Sequence, residues 1–486
     1  MTESNLKRIV VKGFFWMFLS GLIVNSIQFL AKILLARWLN PADFGVVAIV
    51  ISIVGVLAFF QDLGLGTTLI QRKTDIDESF NSVFIFTAFL SSIFAICLLL
   101  FSPQLASYFQ DDRINTVGKL IAMTLPLSAM SLSWASYLSK NLLFFRRFIT
   151  DTIPFLLGSA VSLFLAYHNQ GYLSLTWGYI IGSTSYAILL FILTPWKPKF
   201  KFNLTVFKQM ISYSKYILFV NIAAIILSQG DNFVVGKMLG STNLGYYAIA
   251  YTIATLPAVN VAHLISKVVF PTFAKLQDNS TQLTKSFIRS MSLISSAAFP
   301  ITAGTILISP FLFKVLISDK WLPAHLPLII LSFLSLFKSL QVIPSFFLQA
   351  TGHSKQDSKI MVSSSLLGAV FIIPLTYFQG ILGASIAVTL AYGYGTICQI
   401  IRSSKILNIS TTTISKSFLP AIISSIVMIL SGFLTMSYLN NQYTLSNLFI
   451  LVTSCVTVYL TITYLINKRT ISDFTGLISN FFNRNQ

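Results

Sequence analysis

The sequence predicts an all-α polytopic membrane protein of about fourteen transmembrane helices, each a run of roughly 20 apolar residues. Composition is the first ground for this. Of 486 residues, 55% are hydrophobic and 10% charged, where soluble domains carry about a quarter charged residues, and the mean hydropathy is +0.78. The second ground is continuity: the apolar runs lack the alternation over about ten residues that a membrane strand requires. The third is an internal repeat. Shifted by two hundred residues, Lys237-Met238-Leu239-Gly240-Ser241-Thr242-Asn243-Leu244-Gly245 falls on Arg37-Trp38-Leu39-Asn40-Pro41-Ala42-Asp43-Phe44-Gly45, with the basic residue, Leu and Gly in register. Ala48, Ile49 and Ile53 recur as Ala248, Ile249 and Ile253. Repeats of this kind indicate two similar membrane lobes.

In chain order, the first lobe (1–193) holds spans at 13–36, 44–69, 80–101, 115–138, 149–167 and 172–193. A cytoplasmic linker follows at 194–210, where Pro195 and Pro198 sit among Lys197, Lys199, Lys201 and Lys208. The second lobe (211–403) repeats the plan with spans at 211–236, 244–265, 287–309, 324–349, 358–378 and 381–401. Its loop at 266–285 has an interfacial character, with Phe270, Phe273 and Leu276 among lysines. Two further spans, 418–438 and 445–466, and a cytoplasmic tail make up 404–486. In that tail, Ile471, Phe474, Ile478 and Phe481 follow helical spacing, which fits a helix on the membrane surface or a frayed terminus. Pro126, Pro154, Pro257, Pro300, Pro344 and Pro374 lie inside spans as candidate kinks.

A net charge of +19 raises the question of a polynucleotide partner, and its distribution answers it. With the N-terminus inside, most of the 33 Lys and Arg lie at cytoplasmic ends of spans. Arg37, Arg113, Lys119, Lys237, Lys314 and Lys320 lie at outer ends, and Lys32 and Lys338 within spans. This is positive-inside topology with both termini cytoplasmic, not a nucleic-acid groove. Lys7, Arg8 and Lys12 precede an apolar run too long for a signal peptide's core, so it is expected to remain as the first span. Cys97, Cys398 and Cys455 stand singly and imply neither disulfides nor a metal cluster.

Polar residues at membrane depth are costly, about 2.5–3.5 kcal/mol for a Lys or Asp near a helix centre, so they face a cavity or a partner. Lys338 sits mid-span, with Ser335, Gln341, Ser345 and Gln349 along approximately one face. It lines a lumen or bonds a neighbouring helix. Asn25, Gln28 and Lys32 form a stripe on the first span, and Asn221, Ser228 and Asn232 partly repeat the pattern on the seventh. Lys32 faces a cavity or snorkels to the surface. Asp231 is placed to pair with Lys32, to act as a coupling acid or to sit in a structural ion pair, and Asp62 precedes a Gly64-Leu65-Gly66 turn where helix termination or a basic partner competes with coupling. Enzyme signatures are missing. Gly64-x-Gly66 lacks a third glycine, and Gly230 to Gly236-Lys237 has five intervening residues and a Met where a phosphate loop needs Ser or Thr. His168, His263, His325 and His353 have no zinc spacing. No enzyme, cofactor or metal is expected.

The Lys12-Gly13 opening and Leu34-Leu35-Ala36-Arg37-Trp38-Leu39-Asn40-Pro41-Ala42-Asp43-Phe44-Gly45 resemble the start of bacterial Wzx-type polysaccharide transporters. So do Asp62-Leu63-Gly64-Leu65, Leu69-Ile70-Gln71, Gln229-x-Asp231 and Leu244-Gly245-Tyr246-Tyr247. The resemblance places the chain in the superfamily that also holds multidrug exporters of the MATE type and the lipid II flippases. It implies alternating access by two six-helix lobes in the bacterial inner membrane, with the last two spans peripheral. The implied substrate is a polyprenyl-diphosphate-linked oligosaccharide, for O-antigen, exopolysaccharide or capsule assembly, with the pathway's polymerase and chain-length regulator as partners. Lys32 and Lys338 would then attract diphosphate or acidic sugars, and Asn25, Gln28, Asn221, Asn232, Gln341 and Gln349 would meet hydroxyls. An ion-coupled small-molecule exporter is the alternative, and a membrane glycan polymerase or ligase a third reading, against which the short outer loops count.

Overall fold

The computed structural model describes residues 3–72, 74–440 and 442–466, with side chains described throughout except at 3–12, 14, 67, 71, 212–228, 258–261, 263–268 and 271. The tail positions from Ile471 onward lie outside the described residues. All described regular structure is helical, and it forms two compact units, 1–248 and 249–486. Among the described residues ten helices are long and apolar enough to cross a membrane, or eleven if one bent pair is a single span.

In the first unit, α1 (Glu3–Trp38) is followed by α2 (Pro41–Asp62), the short α3 (Leu65–Gln71) and α4 (Ile76–Phe109). Asn40 and Asp43 form a capping box at the start of α2, with Pro41 in its first turn, where a missing N–H costs nothing. Asp62 ends α2. Leu63 and Gly64 turn to positive φ (45° and 76°), and the Asp62 carboxylate accepts the Gly66 N–H at 3.0 Å. α5 (Arg113–Ala122) and α6 (Leu125–Lys140), where the fourth span is expected, are bent by 42° about a short break. α7 (Phe144–Tyr167) and α8 (Tyr172–Leu193) pack closely. A Cβ on Gly158 would lie 2.6 Å from the Gly178 carbonyl, so only glycine permits this crossing.

Residues 194–210, the expected linker, pack on this unit. Trp196, Val206, Phe207 and Met210 join the buried cluster of Leu65, Phe80, Phe84, Trp134 and Leu190. The Lys199 N–H donates to Asn81 at 2.7 Å and the Asn203 N–H to Ser82 at 3.0 Å. Apolar residues between the lysines anchor the segment, a pattern the proline and lysine content conceals.

α9 (Leu204–Leu276) is interrupted at Gly240, whose φ of 80° breaks the helix. Directly after the break the backbone meets α2. A Cβ on Gly45 would lie 1.7 Å from the Ser241 carbonyl, and one on Gly245 would lie 1.8 Å from the Pro41 carbonyl. The two segments that match at a two-hundred-residue shift thus cross each other reciprocally.

In the second unit α10 (Ser280–Phe311), α11 (His325–Ala350), α12 (Ser354–Ile406) and the short α13 (Thr411–Lys416) enclose a core that includes Phe287, Met291, Leu340, Phe347 and Ile414. Phe273, expected at an interface, is buried in this core against Phe287 and Phe347, because α9 continues to Leu276. Phe270 on the same stretch is exposed. α12 breaks at Gly380, φ 59°. Glycines with positive φ, rather than prolines, make the interruptions in α9 and α12. α14 (Leu419–Tyr438) and α15 (Leu445–Ile466) pack on α10, where the Tyr459 hydroxyl donates to the Ser296 carbonyl at 2.7 Å.

Candidate functional site

Among the described residues, the expected lysines lie in different units, Lys32 in the first and Lys338 in the second. In the first unit a cavity of about 510 Å³ opens between α1, α7 and α8. Gln28 and Lys32, one helical turn apart on α1, both line it, with Asp151, Tyr179 and Tyr186 on the other walls. Small residues at Gly158, Gly178 and Gly182 bring α7 and α8 together and leave the cavity beside them. Arg147 donates to Asp151 at 3.0 Å, and its guanidinium lies 6.0 Å from the Tyr186 ring centroid. The cavity wall therefore carries an acid as well as Lys32, and that acid is held by Arg147. Asn25, on the same stripe, is half-buried and does not line the cavity.

In the second unit Lys338 is half-buried on α11. Its ammonium donates to the Tyr251 hydroxyl at 2.6 Å and lies 5.1 Å and 4.7 Å from the ring centroids of Tyr251 and Tyr392. No carboxylate pairs with it among the described residues. Cation–π contact lowers the cost of holding the charge at this depth but leaves it unneutralised. The ammonium thus lies beside two aromatic faces.

The remaining expected residues are dispersed. Asn232 donates to Ser52 on α2 at 3.0 Å, and Asp231, 4% exposed, accepts the Tyr247 hydroxyl at 2.7 Å. Gln341 lies beside Gly395, and Gln349 donates to Ser345 and Asp357 at 3.1 and 2.9 Å. The Asn221 side chain lies outside those described. Among the described residues no three His, Cys, Asp or Glu side chains form a metal-binding group.

Sequence reasoning missed Asp151, Tyr251, Tyr392 and Asp357. Asp151 follows Arg147 by four residues and reads as a surface ion pair. Asp357 sits among Lys355 and Lys359 and reads as a first-turn acid. The tyrosines were lost among 18 Tyr and 43 Phe.

Residues 34–326, more than half of the chain, match the family described as polysaccharide biosynthesis protein. The chain belongs to that family. Within the family's reach, the chain is 20% identical over 390 residues to the lipopolysaccharide biosynthesis protein WzxC of Escherichia coli, covering 80% of this chain and 78% of that one. It is 24% identical over 462 residues to a probable low-salt glycan biosynthesis flippase of Haloferax volcanii, covering 91% and 93%. The lipid II flippase MurJ in an inward closed conformation has the same fold, with a TM-score of 0.77 at 18% identity over 94% of this chain and 99% of that chain. The polysaccharide biosynthesis protein assignment, the shared fold and the apolar helices make the chain a multi-pass membrane protein.

Proposed function

We propose that this polysaccharide biosynthesis protein is a flippase for polyprenyl-diphosphate-linked oligosaccharide repeat units in the bacterial inner membrane, acting by alternating access in the assembly of a surface polymer. The observation that carries the reading is Lys338, a cation within a span that is flanked by Tyr251 and Tyr392 and has no carboxylate partner among the described residues. A diphosphate headgroup sheds its hydration on entering hydrocarbon and needs replacement charge. Lysine supplies that charge, tyrosine faces suit the apolar faces of sugar rings, and the polyprenyl chain stays in lipid. Lys32 and Gln28 on the first-unit cavity also contact the headgroup in this reading.

We infer two six-helix lobes plus two peripheral helices with both termini cytoplasmic. The breaks at Gly240 and Gly380 support that count, because each cuts a long helix into two pieces of spanning length. The chain's own residues move a bound headgroup and make or break no covalent bond in this account.

Deletion of the gene tests the function. The expected result is loss of the surface polymer with lipid-linked repeat units left on the cytoplasmic leaflet. Normal polymer without that accumulation contradicts it.

A further inference from the structure

Residues 199–202 project from one end of the first unit. The chain leaves α8 at Leu193, is buried at Trp196, and is buried again at Val206, Phe207 and Met210. Between these anchors the Lys201 N–H donates to the Lys199 carbonyl at 2.7 Å, closing a three-residue turn with Phe200 at its centre. Asn81 and Ser82, near the start of α4, hold the two sides of the turn through the Lys199 and Asn203 N–H groups. Phe200 is 89% exposed, more than any other large apolar side chain described, and Phe202 and Leu204 after it are exposed too. A turn pinned at both sides thus holds a phenyl ring away from its own core, where burial would have stabilised the fold.

The charge around the ring is positive and unmatched. Lys199 and Lys201 flank it, and Lys208 is exposed on the first turns of α9. No carboxylate pairs with these three among the described residues. The acids at this end are engaged elsewhere: Glu78 accepts from Asn203 at 2.6 Å and Asp75 pairs with Arg72 at 3.3 Å. Lys197 fixes the depth of the turn. It folds back on the last turn of α8, where its ammonium donates to the Phe191 carbonyl and lies 4.0 Å from that ring's centroid. A lysine reaching the last carbonyls of an apolar helix marks where hydrocarbon gives way to headgroups. Phe200 follows three residues on, within about 11 Å of chain.

We propose that Lys199, Phe200 and Lys201 form a lipid-binding finger for anionic phospholipid. The ring of Phe200 enters the boundary between headgroups and acyl chains, and Lys199, Lys201 and Lys208 take lipid phosphates. Apolar area and positive charge are the two requirements of interfacial attachment, and the turn presents both at one point. Because Val206, Phe207 and Met210 lie in the core beside it, the finger ties the start of α9 to the bilayer surface. That this surface is the cytoplasmic leaflet rests on the topology proposed above; attachment to anionic lipid does not.

The full-length protein in nanodiscs of phosphatidylcholine, with and without phosphatidylglycerol, tests the finger. Phe200→Trp adds one indole to the six native ones, whose emission is subtracted using the wild type. The expected difference emission is quenched by lipids brominated on the upper acyl chain, more with phosphatidylglycerol and less as salt is raised. In the wild type, amide exchange over 199–202 should slow when phosphatidylglycerol is added. Lys199→Gln with Lys201→Gln should reduce that slowing by about tenfold or more, at about fivefold per lysine, with the wild-type thermal midpoint in detergent. The exchange measurement stands by itself should Phe200→Trp alter the turn. Difference emission that brominated lipid leaves unquenched overturns the proposal, whether its colour reports water or a protein cover. Quenching and exchange that ignore phosphatidylglycerol overturn it too. So does equal slowing by inorganic phosphate added to protein in detergent, which would assign an ion site in place of a lipid surface. No glycan enters the measurement, so its failure is distinct from failure of the flippase reading.

Discussion

Gly45 and Gly245 are reciprocal contacts: each lies against the backbone four residues before the other, with no room for a Cβ on either. On the proposed topology their crossing lies at the outer end of α2, where it holds residues 241–245 against the first turns of α2. Gly45→Ala or Gly245→Ala drives a methyl group into a carbonyl and should cost about 1–3 kcal/mol of stability. Because both variants disturb one crossing, the double variant should lose less than the sum of the two. Thermal unfolding in detergent measures both effects. Wild-type midpoints would show that the crossing is looser than described.

The same end is tied by side chains. Ser241 donates to Asp111 at 2.7 Å, and Arg113 pairs with Asp111 at 2.7 Å and with Asp43 at 3.5 Å. Burial pushes the Asp111 carboxyl up, but hydrogen bonds from Arg113 and Ser241 outweigh it and leave the carboxyl below its ordinary value. A depressed acid stabilises the fold above its ordinary pKa of about 3.9 and loses that contribution as pH falls through the lowered one. Stability from this contact should therefore be flat through neutral and mildly acid pH and decline only in strong acid. Ser241→Ala should lower stability at neutral pH by about 1–3 kcal/mol, as for loss of a hydrogen bond to a charged group. An equal loss at strongly acid pH would contradict the assignment.

At the first-unit cavity, Lys32→Met keeps the length of the side chain and removes its charge. Export of polymer should fall about tenfold or more, since a charge-assisted contact is worth about 1.5–3 kcal/mol. The amount of protein in the membrane should be unchanged. Surface-polymer yield against membrane protein level measures this, and undiminished export removes Lys32 from the substrate path.

Much of this fold is legible in the sequence. Continuous apolar runs gave the helices, and the register of residues 37–45 with 237–245 pointed to the two segments that cross at Gly45 and Gly245. Lys338 and the pair Gln28 and Lys32 stand out because polar groups at membrane depth are expensive; the pair lines a cavity and Lys338 meets two tyrosines. Other features were hidden for physical reasons. Asp62 is occupied by capping the turn at Gly66, a role that side-chain type alone does not distinguish from coupling. Asp357 meets Ser345, Gln349 and Gln399 only when α11 and both parts of α12 are packed, so its neighbours are invisible along the chain. The break at Gly240 depends on a backbone angle, not on proline.

Reorientation of lipid-linked oligosaccharide in proteoliposomes tests the central claim most directly. Purified protein is reconstituted with a polyprenyl-diphosphate oligosaccharide, and the fraction reached by a glycan-modifying enzyme added outside is followed with time. The account predicts that wild-type protein carries the protected fraction outward and that Lys338→Ala, folded and inserted, does not. A protected fraction that stays as constant as in protein-free vesicles, or equal rates in wild type and Lys338→Ala, would contradict it.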